Sequence, residues 1–417
     1  MRVALLVPHL FFQQQLLDKV IFSPGELALS LAGELGQLGH EVTLFSPGPV
    51  GDKAKWQRMR VSNICANLNQ FELELAQRGD SYLDLLKKHP LTFVTLARQI
   101  QVEMVAEAYH WANRGEFDVV HVWCNEEEQA LAMAKLCRKP ILFNHHEPFN
   151  FLARYRSIFP KYPHLNWVSF SLSQRQTWPS QHSRKVNWVG NVYHGLALDQ
   201  YQAMFQKGEY LLYAGRLIEP KGVHYAIATA KLLNCRLKIM GKHYAGYNHD
   251  RYWQEFIQPE IDGGKIEYLG FVNDTSEKQH LFGRARALMM PSTWSEPFGL
   301  VMIEALACGT PVVGFNGGSI PEIITSGKTG WVVPYQPEID KSSKTQTTLK
   351  WITLKNNPKF LANVENLAAA VAKISQIKRK DCRKEFEQRF SSTQMARGYE
   401  QLYQQLSADD TYKTHSH

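Results

Sequence analysis

Short, almost purely apolar runs of strand length recur along this chain, and longer stretches with helical periodicity lie between them. The first such run covers 3–7, and further ones follow at 42–45, 118–123, 140–144 and 167–171. A strand that is apolar at nearly every position has no face to give to water. Such strands belong in a parallel sheet covered by helices on both sides. Between the first two runs, Leu27, Leu31, Leu35 and Leu38 share one face of a predicted helix, and Gly39 suits its C-cap. This makes one strand–helix–strand unit. A second alternating series begins near 209, with strands suggested in YLLYAG, RLKIMG, KIEYLGFV, RALMMPS, PVVGF and GWVV. Two series imply an α/β protein with two Rossmann-like domains of mostly parallel sheet. The expected bounds are 1–195, 196–385, and a C-terminal helix with its tail at 386–417, packing back on the first domain. The connection falls at 191–207, and 411–417 reads as a frayed tail. The stretch 52–116 is helical in pattern, rich in Lys, Arg and Gln, and without obvious strand spacing. It reads as an elaboration on the first domain.

A length of 417 residues exceeds what one hydrophobic core serves well, which agrees with two domains. Apolar residues at 44% and charged residues at 21% are ordinary for a soluble globular chain. The net charge of +8 suits an anionic partner, either a membrane surface or a phosphate-bearing substrate, or simply a basic solvated surface. Nucleic acid is disfavoured because the charge is dispersed and no recognised module occurs. Six cysteines (Cys65, Cys124, Cys137, Cys235, Cys308 and Cys382) stand singly, without zinc-site spacing. Several lie in apolar runs, as buried thiols in a reducing compartment would. The N-terminal MRVALLVPHLFF has one charge, an internal proline and no small-residue cleavage site, so it reads as a buried strand rather than a leader. No apolar stretch reaches the roughly 18 residues that span a bilayer. A cytoplasmic protein is expected.

The segment PSTWSEPFGLVMIEALACGTPVVGFNGGSIPEII carries the densest chemical information. From 298 to 315 it holds one charge, Glu304, within or beside an apolar helical stripe of Leu300, Ile303 and Ala307. An unpaired carboxylate there would cost several kcal/mol, and a ligand bearing hydroxyls would satisfy it. Glu296 precedes the same helix, and Pro297, Phe298, Gly299 and Leu300 should offer free backbone N–H groups at its N-terminus. Upstream, GRLIEPKG places Arg216 and Lys221 between a strand and a helix start. Two cations there form a diphosphate clamp, or alternatively surface ion pairs.

Glu296-x7-Glu304, followed by GTPVV and GGSIPEII, resembles the signature of the retaining glycosyltransferases of family 4 (glycosyl transferases group 1), which have the GT-B fold. That resemblance implies two Rossmann-like domains facing across a cleft. It puts Glu296 near the donor sugar, Glu304 on the ribose hydroxyls, and Arg216 and Lys221 on the donor diphosphate. Gly25 in FSPGELALSL matches the family's glycine loop near the phosphates, although an ordinary helix start with Ser23 as N-cap and Pro24 first would explain it equally. PILFNHHEP resembles the stretch ending in a His that faces the reacting sugar. His146 takes that position, or His145 if the register slips. Gly241 in KIMGKHY and Phe271 and Val272 in YLGFV match loops approaching the nucleotide base. NVYHGLALDQY resembles the interdomain stretch, with His194 where Asn is common. It is read as a hinge without a catalytic role. The likeness is strongest from Tyr210 to Pro334, fair over 1–50 and 117–200, and weak through 52–116.

The implied activity is metal-independent transfer of a hexose from a nucleotide diphosphate sugar, UDP- or GDP-linked, to a hydroxyl acceptor. The acceptor would be a sugar, a lipid-linked glycan or a small molecule, with a place in cell-envelope glycan or glycolipid synthesis. No cofactor or metal is expected, the nucleotide sugar being a co-substrate. No D-x-D occurs to chelate a divalent ion. The basic and apolar residues of 52–116 fit either peripheral contact with the inner face of the membrane or a solvated insertion. A dehydrogenase is disfavoured by the absence of G-x-G-x-x-G after a strand. A nucleotide-sugar epimerase, a pyridoxal-phosphate phosphorylase and an inactive sugar-nucleotide-binding protein remain as alternatives.

Overall fold

The computed structural model describes residues 1–414 except 18–21, 52, 124–127, 180–184, 244–249 and 339–353. The chain divides into two compact units, one of Met1–Gly195 with Ser392–His417 and the other of Leu196–Ser391. The first unit is built on seven strands: β1 (Arg2–Leu6), β2 (Glu41–Ser46), β3 (Val61–Cys65), β4 (Val119–Trp123), β5 (Ile141–Asn144), β6 (Asn166–Ser169) and β7 (Trp188–Asn191). They lie in the order β3-β2-β1-β4-β5-β6-β7 with every pairing parallel. Val3 sits opposite Val42 on one side and Val119 on the other. Val3, Ala4, Leu5 and Leu6 are completely buried, which is what a central strand covered on both faces requires.

The stretch expected to be an elaboration proves to be part of the sheet. It contains the edge strand β3, and helix Pro90–Asn113 packs on β1 and β4 as the crossover between β3 and β4. This helix buries Phe93, Leu96, Ile100, Met104, Val105 and Ala108 along one stripe. The strand escaped sequence reading because VSNIC is short and only Val61 is fully buried. Asn63 spends its amide on the Leu44 carbonyl at 2.9 Å and Ser46 Oγ at 2.8 Å, an edge-strand role with no apolar signature. The other edge strand, β7, was also unmarked. Helix Ser23–Gln37 starts at Ser23 itself, so Ser23 is not the N-cap. Phe22 holds that position, without a side-chain bond.

The second unit carries β8 (Tyr210–Ala214), β9 (Leu237–Met240), β10 (Ile266–Gly270), β11 (Ala285–Met290), β12 (Val312–Phe315) and β13 (Gly330–Val333). Their order is β10-β9-β8-β11-β12-β13, again wholly parallel. Each sheet therefore reverses its strand order once, between β1 and β4 and between β8 and β11. In open α/β sheets ligands bind at the carboxyl ends of the strands at such a point. The carboxyl-end loops of the second sheet are stitched together by main-chain bonds. Gly215 N donates to the Met240 carbonyl at 3.1 Å, Leu217 N to that of Lys242 at 3.1 Å, and Gly241 N to that of Gly270 at 2.8 Å. Gly241 has φ 156°, and a Cβ there would lie 1.8 Å from the Gly215 carbonyl oxygen.

Two helices close the chain. Arg379–Arg389 stays with the second unit, and Ser392–Thr414 packs on helix Ser23–Gln37 of the first. The return to the first unit thus begins at 392 rather than 386, and the tail expected from 411 is helical to Thr414, with 415–417 outside the described residues. Ser392 Oγ and Thr393 Oγ1 donate to the two carboxylate oxygens of Glu34 at 2.5 and 2.9 Å, and His121 Nδ1 pairs with the Tyr403 hydroxyl at 2.7 Å. Cys308 and Cys382 are buried thiols as expected, Cys65 is exposed, and Cys124 lies outside the described residues. Among the described residues no helix is long and apolar enough to cross a membrane.

Burial holds His121, His194 and His224 down at about 3 and His145 at about 4. Below the ordinary value of 6.5 the unfolded chain takes up protons that the folded one refuses. Stability is therefore full above pH 6.5 and falls as pH drops, by up to ~1.4 kcal/mol per imidazole per pH unit. Thermal unfolding should shift down by many degrees between pH 7.5 and 5.0, and an unchanged midpoint would refute the neutral-imidazole assignment. Gly241→Ala should destabilise the second unit by about 1–3 kcal/mol through backbone strain and clash. A melting temperature equal to wild type would mean that the loops at Gly215 and Gly241 separate at little cost.

Candidate active site in the second unit

The loops after β8 and β11 bring together charges far apart in sequence. Lys221 Nζ forms an ion pair with Glu296 Oε2, and only 13% and 8% of the two side chains is exposed. Removing either partner from a pair this enclosed leaves a charge with little water around it, a loss of about 3–5 kcal/mol. Lys221 is held in place from below. The Pro220 carbonyl accepts from Thr293 N at 2.9 Å and Trp294 N at 3.1 Å, tying the β8 loop to the β11 loop. Arg216 lies in the same β8 loop with its side chain exposed, and its carbonyl accepts from the buried Tyr213 hydroxyl at 3.0 Å.

The Glu296 loop is fastened by the small residues of NGGS. Ser319 N donates to the Glu296 carbonyl and Ser319 Oγ to the Phe298 carbonyl, both at 2.8 Å. Gly318, with φ 57°, approaches so closely that a Cβ would lie 2.3 Å from both Glu296 N and O. The role of this motif is thus to lock the main chain under Glu296. Gly299 is left-handed at φ 80° and precedes helix Leu300–Ala307. Pro297, Gly299 and Leu300 are partly exposed, whereas Phe298 is buried and faces Phe390 with ring centroids 6.3 Å apart. Phe298 therefore serves packing, and any ligand contact from it would be main-chain.

On the helix, Ile303 and Ala307 are buried as expected, but Leu300 is only partly so. Leu300, Val301 and Glu304 form the half-covered face. Glu304 does not await a ligand alone: the Tyr201 hydroxyl donates to its Oε1 at 2.7 Å. Nothing in the spacing of two residues 103 positions apart could have announced this contact. Toward the β9 and β10 ends, Gly241 is buried beneath the Tyr268 hydroxyl, which donates to its carbonyl at 3.1 Å. Phe271 is 47% exposed and Val272 only 6%, so of the expected pair Phe271 alone offers a side chain at the surface.

Gly25 and His146 belong to the first unit. A Cβ on Gly25 would sit 2.7 Å from Phe22 Cδ1 and 2.9 Å from Phe12 Cδ2, so internal packing already accounts for the glycine. His145 is fully buried among Phe149, Tyr155 and Phe159, with centroids 5.1, 4.7 and 4.7 Å away. His146 is partly exposed and stacks on His194 at 5.2 Å and 7°, with Trp123 at 4.5 Å and Phe170 at 5.8 Å. Burial, and then the neighbouring His194, push its pKa well down, so it stays neutral. His194, read only as part of a hinge, is thus also a packing partner of His146. No cluster of three or more His, Cys, Asp or Glu suited to a metal occurs among the described residues.

Residues 198–363 match the family described as glycosyl transferases group 1. An uncharacterized glycosyltransferase of Methanocaldococcus jannaschii is 38% identical over 134 residues, covering 31% of this chain and 33% of that protein. The chain thus spans about a third of the length of that relative. Phosphatidyl-myo-inositol mannosyltransferase of Propionibacterium freudenreichii subsp. shermanii is 25% identical over 341 residues, 78% of this chain and 80% of that one. Among solved structures, Anabaena Alr3699/HepE in complex with UDP-glucose superposes with a TM-score of 0.59 at 16% identity, covering 98% of this chain and 100% of that one. That likeness is one of fold, two parallel-sheet Rossmann-like units of the GT-B class. The chain thus has the GT-B fold, and its second unit, with the Glu296-x7-Glu304 helix, is similar to the glycosyl transferases group 1 over residues 198–363.

Proposed function

We propose that this chain is a hexosyltransferase that moves a sugar from a nucleotide diphosphate sugar to a hydroxyl acceptor, with retention and without a metal ion. The observation that carries the reading is the enclosed Lys221–Glu296 pair in the loops after β8 and β11, with the exposed Arg216 in the same β8 loop. Breaking the bond from the anomeric carbon to the diphosphate leaves negative charge on the phosphate oxygens. Arg216, Lys221 and backbone N–H groups before helix Leu300–Ala307 would stabilise that charge in place of a divalent cation. Glu296 would lie beside the sugar as positive charge develops there in an oxocarbenium-like state, and Glu304 would hold the ribose. The acceptor oxygen bonds to the anomeric carbon from the face the diphosphate leaves, and the acceptor proton passes to the departing phosphate.

UDP or GDP is the donor nucleotide favoured here. A UDP-glucose complex of a similar fold and a mannosyltransferase among the relatives support it. The latter's name also favours a lipid-linked acceptor, reached from the cytoplasmic face, with residues 52–116 as the membrane-facing candidate.

The test is calorimetric titration with UDP, GDP and ADP in the presence of a chelator, for wild type, Arg216→Ala and Glu304→Ala. Arg216 is the better phosphate probe, since it is exposed whereas Lys221→Ala would strand Glu296. One nucleotide should bind, and each substitution should weaken it at least about tenfold, the worth of one charge-assisted contact. Absence of binding would remove the main support for catalysis, and binding undiminished in both variants would overturn the roles given to Arg216 and Glu304. With an acceptor present, the released sugar should appear in a new glycosidic bond of unchanged anomeric configuration. A free epimerised sugar nucleotide would sink the proposal.

A further inference from the structure

Tyr201 is 2% exposed, and its hydroxyl reaches Glu304 Oε1 at 2.7 Å. A buried phenol oxygen costs free energy unless it is hydrogen-bonded, and here the acceptor is a carboxylate on the half-covered face of its helix. The contact is held from both ends by one guanidinium. Arg383 Nη1 donates to the Tyr201 carbonyl at 2.6 Å and to the Ala307 carbonyl at 2.9 Å, while its Nη2 donates to that of Leu198 at 3.2 Å. Ala307 is the last residue of the helix that carries Glu304. The same cation therefore fixes the backbone of the phenol and the end of the helix bearing the carboxylate. Arg383 is in turn paired through Nε with Glu387 at 2.6 Å.

We infer that Tyr201 is a positioning residue of the nucleotide site: its hydroxyl sets the rotation of the Glu304 carboxylate so that Oε2 accepts from the vicinal hydroxyls of a ribose. A carboxylate has about four acceptor directions on two oxygens. With Oε1 engaged by Tyr201, free rotation about the terminal torsion is lost, which leaves Oε2 as the oxygen that a ligand on the half-covered face of the helix would meet. Two adjacent hydroxyls can then share one oriented oxygen without first ordering it. The inference rests on the reading of Glu304 as a ribose contact and adds the group that orients it.

The experiment compares Tyr201→Phe with wild type in calorimetric binding of UDP and of 2′,3′-dideoxy-UDP, or of the GDP pair if wild type binds GDP. Tyr201→Phe should weaken the ribonucleotide about tenfold, the worth of one hydrogen bond to a charged group. The dideoxy nucleotide should bind the variant and wild type equally. A variant that merely loosened the fold would lose both nucleotides alike, and that result, or an unchanged ribonucleotide affinity, overturns the inference. In a Glu304→Ala background, Tyr201→Phe should cause no further loss. A second loss of similar size would show that the phenol acts elsewhere. Failure of wild type to bind any nucleotide would fail the proposed function itself and is seen before any variant is made.

Discussion

A parallel strand buried on both faces can present chemistry only at its ends. Every strand in the middle of these two sheets obeys that constraint, and the chemical groups of the second unit are arranged by it. Arg216 and Lys221 follow β8, Gly241 follows β9, and Glu296 follows β11. β8 and β11 flank the point where the sheet reverses its order, and β9 lies next to β8. Main-chain bonds between neighbouring loop ends give these loops a rigid base. The Pro220 carbonyl ties the β8 loop to the β11 loop, and Gly215 and Gly241 each donate a backbone bond to a neighbouring strand end. Only a residue without a side chain fits where Gly241 meets the Gly215 carbonyl.

Within that frame the electrostatics are economical. Two opposite charges, Lys221 and Glu296, are enclosed together, and each would be costly alone. The pair keeps a cation in place without a phosphate to neutralise it. The more exposed Arg216 needs no such partner, because water solvates it. Glu304 is handled differently, its negative charge being half solvated and half met by a phenol hydroxyl. The first unit follows the opposite policy. Its histidines near the strand ends are neutral, packed against Trp123, Phe170, Phe149 and Tyr155. Burial excludes the protonated form there, as it does at His224 of the second unit, so acid should attack the fold through these histidines.

The amino-acid sequence by itself determined the α/β class and eleven of the thirteen strands among the described residues, and it marked Glu296 and Glu304 as candidates, because buried parallel strands and a charge inside an apolar helix leave a local imprint. The edge strands β3 and β7 left none, since a strand at a sheet edge can be short and polar. Only the tertiary structure decided which charges meet. Lys221 finds Glu296 across 75 positions, Tyr201 finds Glu304 across 103, and Arg383 reaches back to Tyr201 across 182. It also separated residues that look equivalent in sequence, enclosing His145 and Val272 while leaving His146 and Phe271 accessible. Periodicity reports which face of an element is buried, whereas partners brought together by crossover connections are set by how whole elements pack, and no local pattern encodes that.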